Sequence, residues 1–243
     1  MTKRIVMWSG PRNISTAMMR SFENRDDCAV SDEPFYAAFL SETGLQHPMT
    51  EEVLASQPND WRAVAADMVG NAPDGAAVWY QKHMCHHMVS GIGFDWMKDC
   101  TNAFLIRDPA DVIASYIRKH DGIDLDAIGV AKQAEIFDRA AQILGAPPPV
   151  VDTADVLASP RGVLTALCDA LTLPFSDKML SWPAGKRDSD GVWAPAWYDV
   201  VEASTGFARP SPKRKELPAE LQKIAGEARP HYESMARHRL VAR

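Results

Sequence analysis

The chain opens on a change of pattern. Ile5-Val6-Met7-Trp8 is a short apolar run with β-branched residues, Ser9-Gly10-Pro11-Arg12-Asn13 is a turn-forming cluster, and Ser15-Thr16 leads into Ala17, Met18, Met19 and Phe22 at helical spacing. That order predicts strand, tight loop and helix. Residues 28–31 read as a second strand that ends at Asp32-Glu33-Pro34, where the proline keeps Glu33 out of a helix. Residues 37–59, interrupted by Gly44, Pro48 and Pro58, predict short helices and loops, and 61–69 a helix. A third strand is expected at 76–82, rich in β-formers. A fourth, at 101–106, is apolar toward its end, as a strand buried on both faces should be. Asp108 suits the N-cap and Pro109 the first position of a helix running to Lys119. Further helices are expected at 128–144 and 161–171, with a short strand at 149–152 between them. The last helix, 217–240, is expected to break near Arg229-Pro230.

Strands alternating with helices imply a mostly parallel sheet of about five strands, covered on both faces: a three-layer α/β/α sandwich. Residues 1–243 are expected to form a single domain, its C-terminal third (from about residue 175) a loop- and helix-rich extension. The aromatic segment 182–198 reads as ordered loop, because tryptophans are costly to leave in water. In such sheets ligands lie beyond the carboxyl ends of the strands. Arg12, Glu33, Lys82 with His83, and Arg107 each follow a strand and are expected on that side.

The first loop reads as a cradle for a phosphate or phosphosulfate. A tight turn into a helix aims backbone N–H groups at one spot, and the helix dipole favours an anion there. Arg12, Asn13, Ser15 and Thr16 add donors. A Walker A loop would place a second Gly and a Lys before the hydroxyl residue; here Gly10 reaches Ser15 and Thr16 without either. The loop is thus suited to a phosphate-like group and poorly equipped for Mg–ATP. A second anion site is read at Arg107-Asp108-Pro109 with Ser115, an arginine fork plus a hydroxyl suited to a phosphate monoester. The alternative is that Arg107 simply pairs with Asp108 or caps a neighbouring helix.

Composition narrows the partners. A length of 243 residues with 46% hydrophobic content supports one sizeable core, and a net charge of −6 disfavours nucleic acid or an anionic membrane as a general partner. Cys28, Cys85, Cys100 and Cys168 lack paired spacing and read as reduced thiols of a cytoplasmic protein. No signal-peptide pattern and no membrane-length apolar run is seen. His83, Cys85, His86 and His87 match no zinc spacing, so no metal is expected.

Together the two loops resemble the sulfotransferase family, which uses 3′-phosphoadenosine 5′-phosphosulfate (PAPS) as donor. The family's S-G-P-R-S-G-T-T loop is matched by Ser9 through Thr16, with Ile14 where a Gly is common and Arg12 where many members have Lys. Its R-D-P-x-D-x-x-x-S pattern is matched by Arg107-Asp108-Pro109, Asp111 and Ser115. The resemblance implies a P-loop, kinase-like sandwich. It implies that Gly10, Arg12, Asn13, Ile14, Ser15 and Thr16 hold the 5′-phosphosulfate and that Arg107 and Ser115 hold the 3′-phosphate. It further implies in-line sulfuryl transfer to a small-molecule hydroxyl or amine, with PAPS and PAP as co-substrates and no metal. Glu33 is the first choice as base, His83 the second, and Lys82 or His83 would touch the sulfuryl or bridging oxygens. Lys213-Arg214-Lys215 reads as a solvated charged turn. The alternatives are a P-loop kinase or NTP hydrolase with a degenerate loop, or a non-catalytic nucleotide-binding module. A homodimer or an aminotransferase-like partner is also considered.

Overall fold

The computed structural model describes residues 2–118, 123–209 and 216–242. Lys119 and the Lys213-Arg214-Lys215 turn lie outside them. The elements run β1 (Lys3–Ser9), α1 (Ser15–Glu23), β2 (Cys28–Asp32), α2 (Tyr36–Thr43), α3 (Thr50–Ser56), α4 (Trp61–Met68), β3 (Val78–Met84), β4 (Thr101–Ile106), α5 (Pro109–Tyr116), α6 (Val130–Leu144), β5 (Val150–Asp152), α7 (Thr153–Ala158), α8 (Pro160–Ala170), α9 (Ala194–Trp197), α10 (Asp199–Glu202) and α11 (Ala219–Ala236).

β1 takes the centre of the sheet because both of its alternating sets of side chains are apolar. Val6 and Trp8 enter one core layer with Trp79, Phe104 and Ile106, while Ile5 and Met7 enter the other with Val78, Tyr80, Ala103 and Leu105. Each such side chain, fully buried, contributes about 1.5–3 kcal/mol. The first layer is closed by α4, α5, α6 and α11, the second by α1, α7 and α8. The sheet order is β2-β3-β1-β4-β5 with every pairing parallel. The chain therefore leaves β1 toward one edge and returns past it toward the other. That reversal puts the crevice beyond the ends of β1 and β4, where open α/β sheets bind ligands.

Asp108 caps α5 as expected, accepting from Ala110 N at 2.9 Å, with Pro109 at the first position. Segment 182–198 is ordered: Trp182, Trp193 and Tyr198 are all buried. The expected break at Pro230 does not occur, and α11 runs through it. The missing hydrogen bond, a cost of about 3 kcal/mol, is offset by packing on both sides. Ala225 and Ala228 before the proline, and Met235 and Ala236 after it, are buried in one core layer, and Arg229 clamps Asp108 at 2.8 and 3.1 Å. β3 begins and ends two residues later than expected. The four cysteines are unpaired, Cys85, Cys100 and Cys168 being buried. Among the described residues no helix is long and apolar enough to cross a membrane.

Candidate active site

The loop after β1 is held by its own strained backbone. Arg12 and Ile14 adopt left-handed φ angles of 62° and 55°. For a β-branched residue this is a true outlier, costing about 1–3 kcal/mol. It explains why a glycine suits the position of Ile14 in the sequences this loop resembles. Ile14 is the N-cap of α1, offers no side-chain cap, and leaves the first turn without an acidic residue. The positive end of α1 is thus open to an anion. Asn13 anchors the loop: its Nδ2 donates to Leu105 O at 3.0 Å, and its carbonyl accepts from Thr153 Oγ1 at 3.2 Å. Its Oδ1 is buried without a partner. Gly10 permits a close approach, since a Cβ there would meet Gln133 Oε1 and Ile128 O at 3.4 Å. Ser15 is buried and Thr16 half-buried at the start of α1.

The two arginines expected at separate pockets meet. Arg107 Nη1 donates to the carbonyl of Arg12 at 2.6 Å, and Arg12 Nε donates to Ser115 Oγ at 3.1 Å. Arg118 Nη2 donates to the same hydroxyl at 3.2 Å. Asp108 does not take Arg107, because Arg229 occupies both of its oxygens. Among the described residues, no carboxylate comes within ion-pair distance of Arg12, Arg107 or Arg118. Burial, and then the neighbouring Arg118, lowers the pKa of Arg12. Burial also lowers that of Arg107, with Arg12 and Arg118 adding to the effect and Asp111 opposing it. Guanidinium groups crowded in this way are suited to an anion. The fork of Arg12 stands here with Ser115, the residue the sequence resemblance gives to the 3′-phosphate.

Across the crevice, Glu33 follows β2 in a left-handed conformation, φ 42°. Register pairs Asp32 with Lys82 on β3, so both carboxylates reach one ammonium. Lys82 Nζ donates to Glu33 Oε1 at 2.6 Å, Asp32 Oδ1 at 2.9 Å and Tyr198 Oη at 2.5 Å. An ammonium has three donors, so all are engaged. Tyr198 in turn donates to Asp32 Oδ2 at 2.7 Å and accepts from Trp193 Nε1 at 3.2 Å. Burial opposes the charge on Lys82, but Asp32 and then Glu33 outweigh it, and the pKa is raised well above the usual lysine value. Burial raises Glu33, against the opposing effect of Lys82. Its side chain remains 12% exposed. A partly buried carboxylate of raised pKa, with Oε1 held by Lys82, can accept a proton.

His83 is not part of this arrangement. It lies on the opposite face of β3 from Lys82, packed between Trp8, Phe35 and Trp96 with ring centroids 4.9–5.6 Å away. Burial lowers its pKa to about 3, which makes it a weak proton acceptor. No group of three or more His, Cys, Asp or Glu residues among the described residues is placed to hold a metal.

Asp32 and Arg118 were not singled out from sequence, and Tyr198 was read only as one of several aromatics that could line an acceptor cleft. Arg118 had a readable signal, since it follows Ser115 by one helical turn. The link from Tyr198 to Lys82 and Asp32 had none, because only the fold brings it to β2.

The chain is 33% identical over 231 residues to branched-chain-amino-acid aminotransferase-like protein 2 of Arabidopsis thaliana, and 34% identical over 232 residues to protein 1 of the same name and organism. Each match covers 95% of this chain but only 41% of the relative, so the chain spans about two-fifths of the length of these curated relatives. Among solved structures, the sulfotransferase from Alicyclobacillus acidocaldarius superposes with a TM-score of 0.59 at 11% identity, covering 99% of this chain and 98% of that one. The sulfotransferase domain from the curacin biosynthetic pathway gives 0.57 at 17% identity, covering 93% and 97%. These show a common fold, the P-loop-like sandwich. The family match extends over residues 3–239, nearly the whole sequence. On that match the chain belongs to the sulfotransferase-domain family.

Proposed function

We propose that this chain transfers a sulfuryl group from PAPS to a hydroxyl or amine of a small-molecule acceptor, by in-line displacement. The observation that carries the reading is the cluster of Arg12, Arg107 and Arg118 around the Ser115 hydroxyl. It calls for a bound anion one loop away from the open N-terminus of α1. In the reading, the 3′-phosphate enters the cluster, and the 5′-phosphosulfate lies over the first turn of α1. Backbone N–H groups there, with Ser15 and Thr16, stabilise charge as the sulfur–oxygen bond to the donor breaks. Glu33 Oε2 takes the acceptor proton, and Lys82 holds Oε1 and fixes the carboxylate's orientation. The cationic groups supply the positive charge that magnesium supplies in kinases, so the reading calls for no metal. The curated relatives extend well beyond the matched region and carry an aminotransferase-like name. Association with an aminotransferase-like partner is therefore included in the proposal.

The test is PAPS turnover in the presence of EDTA, with PAP release followed by chromatography across a panel of phenols, alcohols and amines. Acceptor-dependent PAP formation is expected. PAP formation that requires added magnesium, or magnesium-dependent ATP hydrolysis in its place, overturns the reading.

A further inference from the structure

Lys82 carries its ammonium on a flexible four-carbon stem, yet the side chain is 1% exposed and Nζ is held at one point. Three acceptors from separate parts of the chain hold it: Asp32 at the end of β2, Glu33 in the loop that follows, and Tyr198 between α9 and α10. The Tyr198 hydroxyl is itself fixed. It accepts from Lys82 and from Trp193 Nε1, and its one proton goes to Asp32. Asp32 Oδ2 also accepts from Gly191 N at 3.1 Å. Glycine is required there, because a Cβ would fall 2.1 Å from the Trp193 indole. Segment 191–198 is thereby tied to the carboxylate pair through a backbone N–H, an indole and a phenol.

The charges in this cluster do not cancel. Two carboxylates share one ammonium, and all three side chains are 12% exposed or less. An ammonium held by Glu33 alone would keep that carboxylate ionised and make it a weak proton acceptor. Asp32 takes part of the attraction of Lys82 and adds its own repulsion. We propose that Asp32 and Tyr198 are positioning residues that set the strength of Glu33 as a base through Lys82, Asp32 by sharing the ammonium and Tyr198 by pinning it beside Glu33. The proposal rests on Glu33 being the base. It gives the aromatic segment 191–198 a task, since that loop completes the cluster begun by β2 and β3.

The titratable groups facing Glu33 are Asp32 on β2, Lys82 on β3, His87 after β3 with Nε2 3.8 Å from Oε2, Tyr36 at the start of α2, and Tyr198. Burial holds His87 well below the usual histidine range, so it stays neutral. Burial raises Glu33, Lys82 opposes the rise, Asp32 adds to it, and the Tyr198 hydroxyl opposes it. The two positioning residues therefore act with opposite signs. Removing the Asp32 charge leaves Lys82 to Glu33 alone and lowers the proton affinity of Glu33. Removing the Tyr198 hydroxyl takes a donor from Asp32, draws the ammonium toward Asp32 and away from Glu33, and raises that affinity.

Carboxyl ¹³C NMR titration of Glu33, assigned by the resonance lost in Glu33→Gln, reads both signs without turnover. The midpoint is expected about one pH unit lower in Asp32→Asn and about one unit higher in Tyr198→Phe. Both variants are expected to lose about 10- to 100-fold in kcat for PAPS hydrolysis, with water as the acceptor, at nearly unchanged KM. A packing role alone would lower the urea midpoint and leave the Glu33 titration at its wild-type position. That result in either variant, or midpoints that move the same way in both, overturns the proposal, and an impaired Glu33→Gln then leaves the base assignment intact. An unimpaired Glu33→Gln overturns both. Asp32→Asn keeps the shape of the side chain and decides by itself should Tyr198→Phe not fold.

Discussion

Arg107 Nη1 donates to the backbone carbonyl of Arg12 at 2.6 Å, so the loop after β1 and the end of β4 form one receptor. The two stretches read from sequence as anion sites lie on the same side of the sheet, and Arg12 reaches over to Ser115. In the proposed reading a single nucleotide engages both. Discrimination between nucleotides should lie in this cluster.

Arg107→Ala and Arg12→Ala should each weaken PAP about 10- to 100-fold, the size of one charge-assisted hydrogen bond at about 1.5–3 kcal/mol. Adenosine 5′-phosphosulfate, which lacks the 3′-phosphate, should lose much less. Competitive displacement of a fluorescent PAP analogue measures both. Equal losses for the two ligands would remove the 3′-phosphate from this cluster.

Glu33→Gln should lower PAPS turnover by about 10²- to 10⁴-fold with PAP affinity nearly unchanged. Burial lifts Glu33 above the ordinary carboxylate range, and a base must be ionised to act. The acid limb of the wild-type pH–rate profile is therefore expected above the ordinary carboxylate range.

The same shift has a signature in stability. Between the ordinary carboxylate pKa and the raised one, the native chain binds more protons at Glu33 than the unfolded chain does. The contribution of Glu33 to stability should therefore grow as pH falls through that window. Urea unfolding of wild type and Glu33→Gln at stepped pH values should show that component of the slope in the wild type alone.

Tyr198→Phe removes a hydroxyl that serves Lys82, Asp32 and Trp193 at once. Leaving those buried groups short of a partner should cost about 1–3 kcal/mol, read as a lower urea midpoint at unchanged m-value. A change within a few tenths of a kcal/mol would mean that water replaces the phenol.

Much of the fold was legible because β1 and β4 carry consecutive apolar runs, residues 5–8 and 103–106, and such runs have few alternatives. Helix α5 was legible down to its cap, since Asp108-Pro109 is a start signal of known mechanism. Pro230 misled, because local propensity says nothing of what lies on either side of a helix. Ala228 and Met235 are fully buried there, and Arg229 is clamped on Asp108. In the candidate site, the spacing singled out Arg12, Arg107 and Ser115, which the fold brings together, and the place after a strand singled out Glu33. His83 was misleading for a reason of period: one step along β3 from Lys82 turns its ring to the other face. Asp32 and Tyr198 depend on β2–β3 register and on a loop some 166 positions away in sequence.

The central claim is that the arginine cluster and the start of α1 together hold a doubly phosphorylated adenosine without metal. Isothermal titration of the wild-type chain with PAP in EDTA tests it most directly. The account predicts saturable binding at one site, weakened in Arg107→Ala. Absence of PAP binding, together with binding of ATP that depends on magnesium, would contradict it.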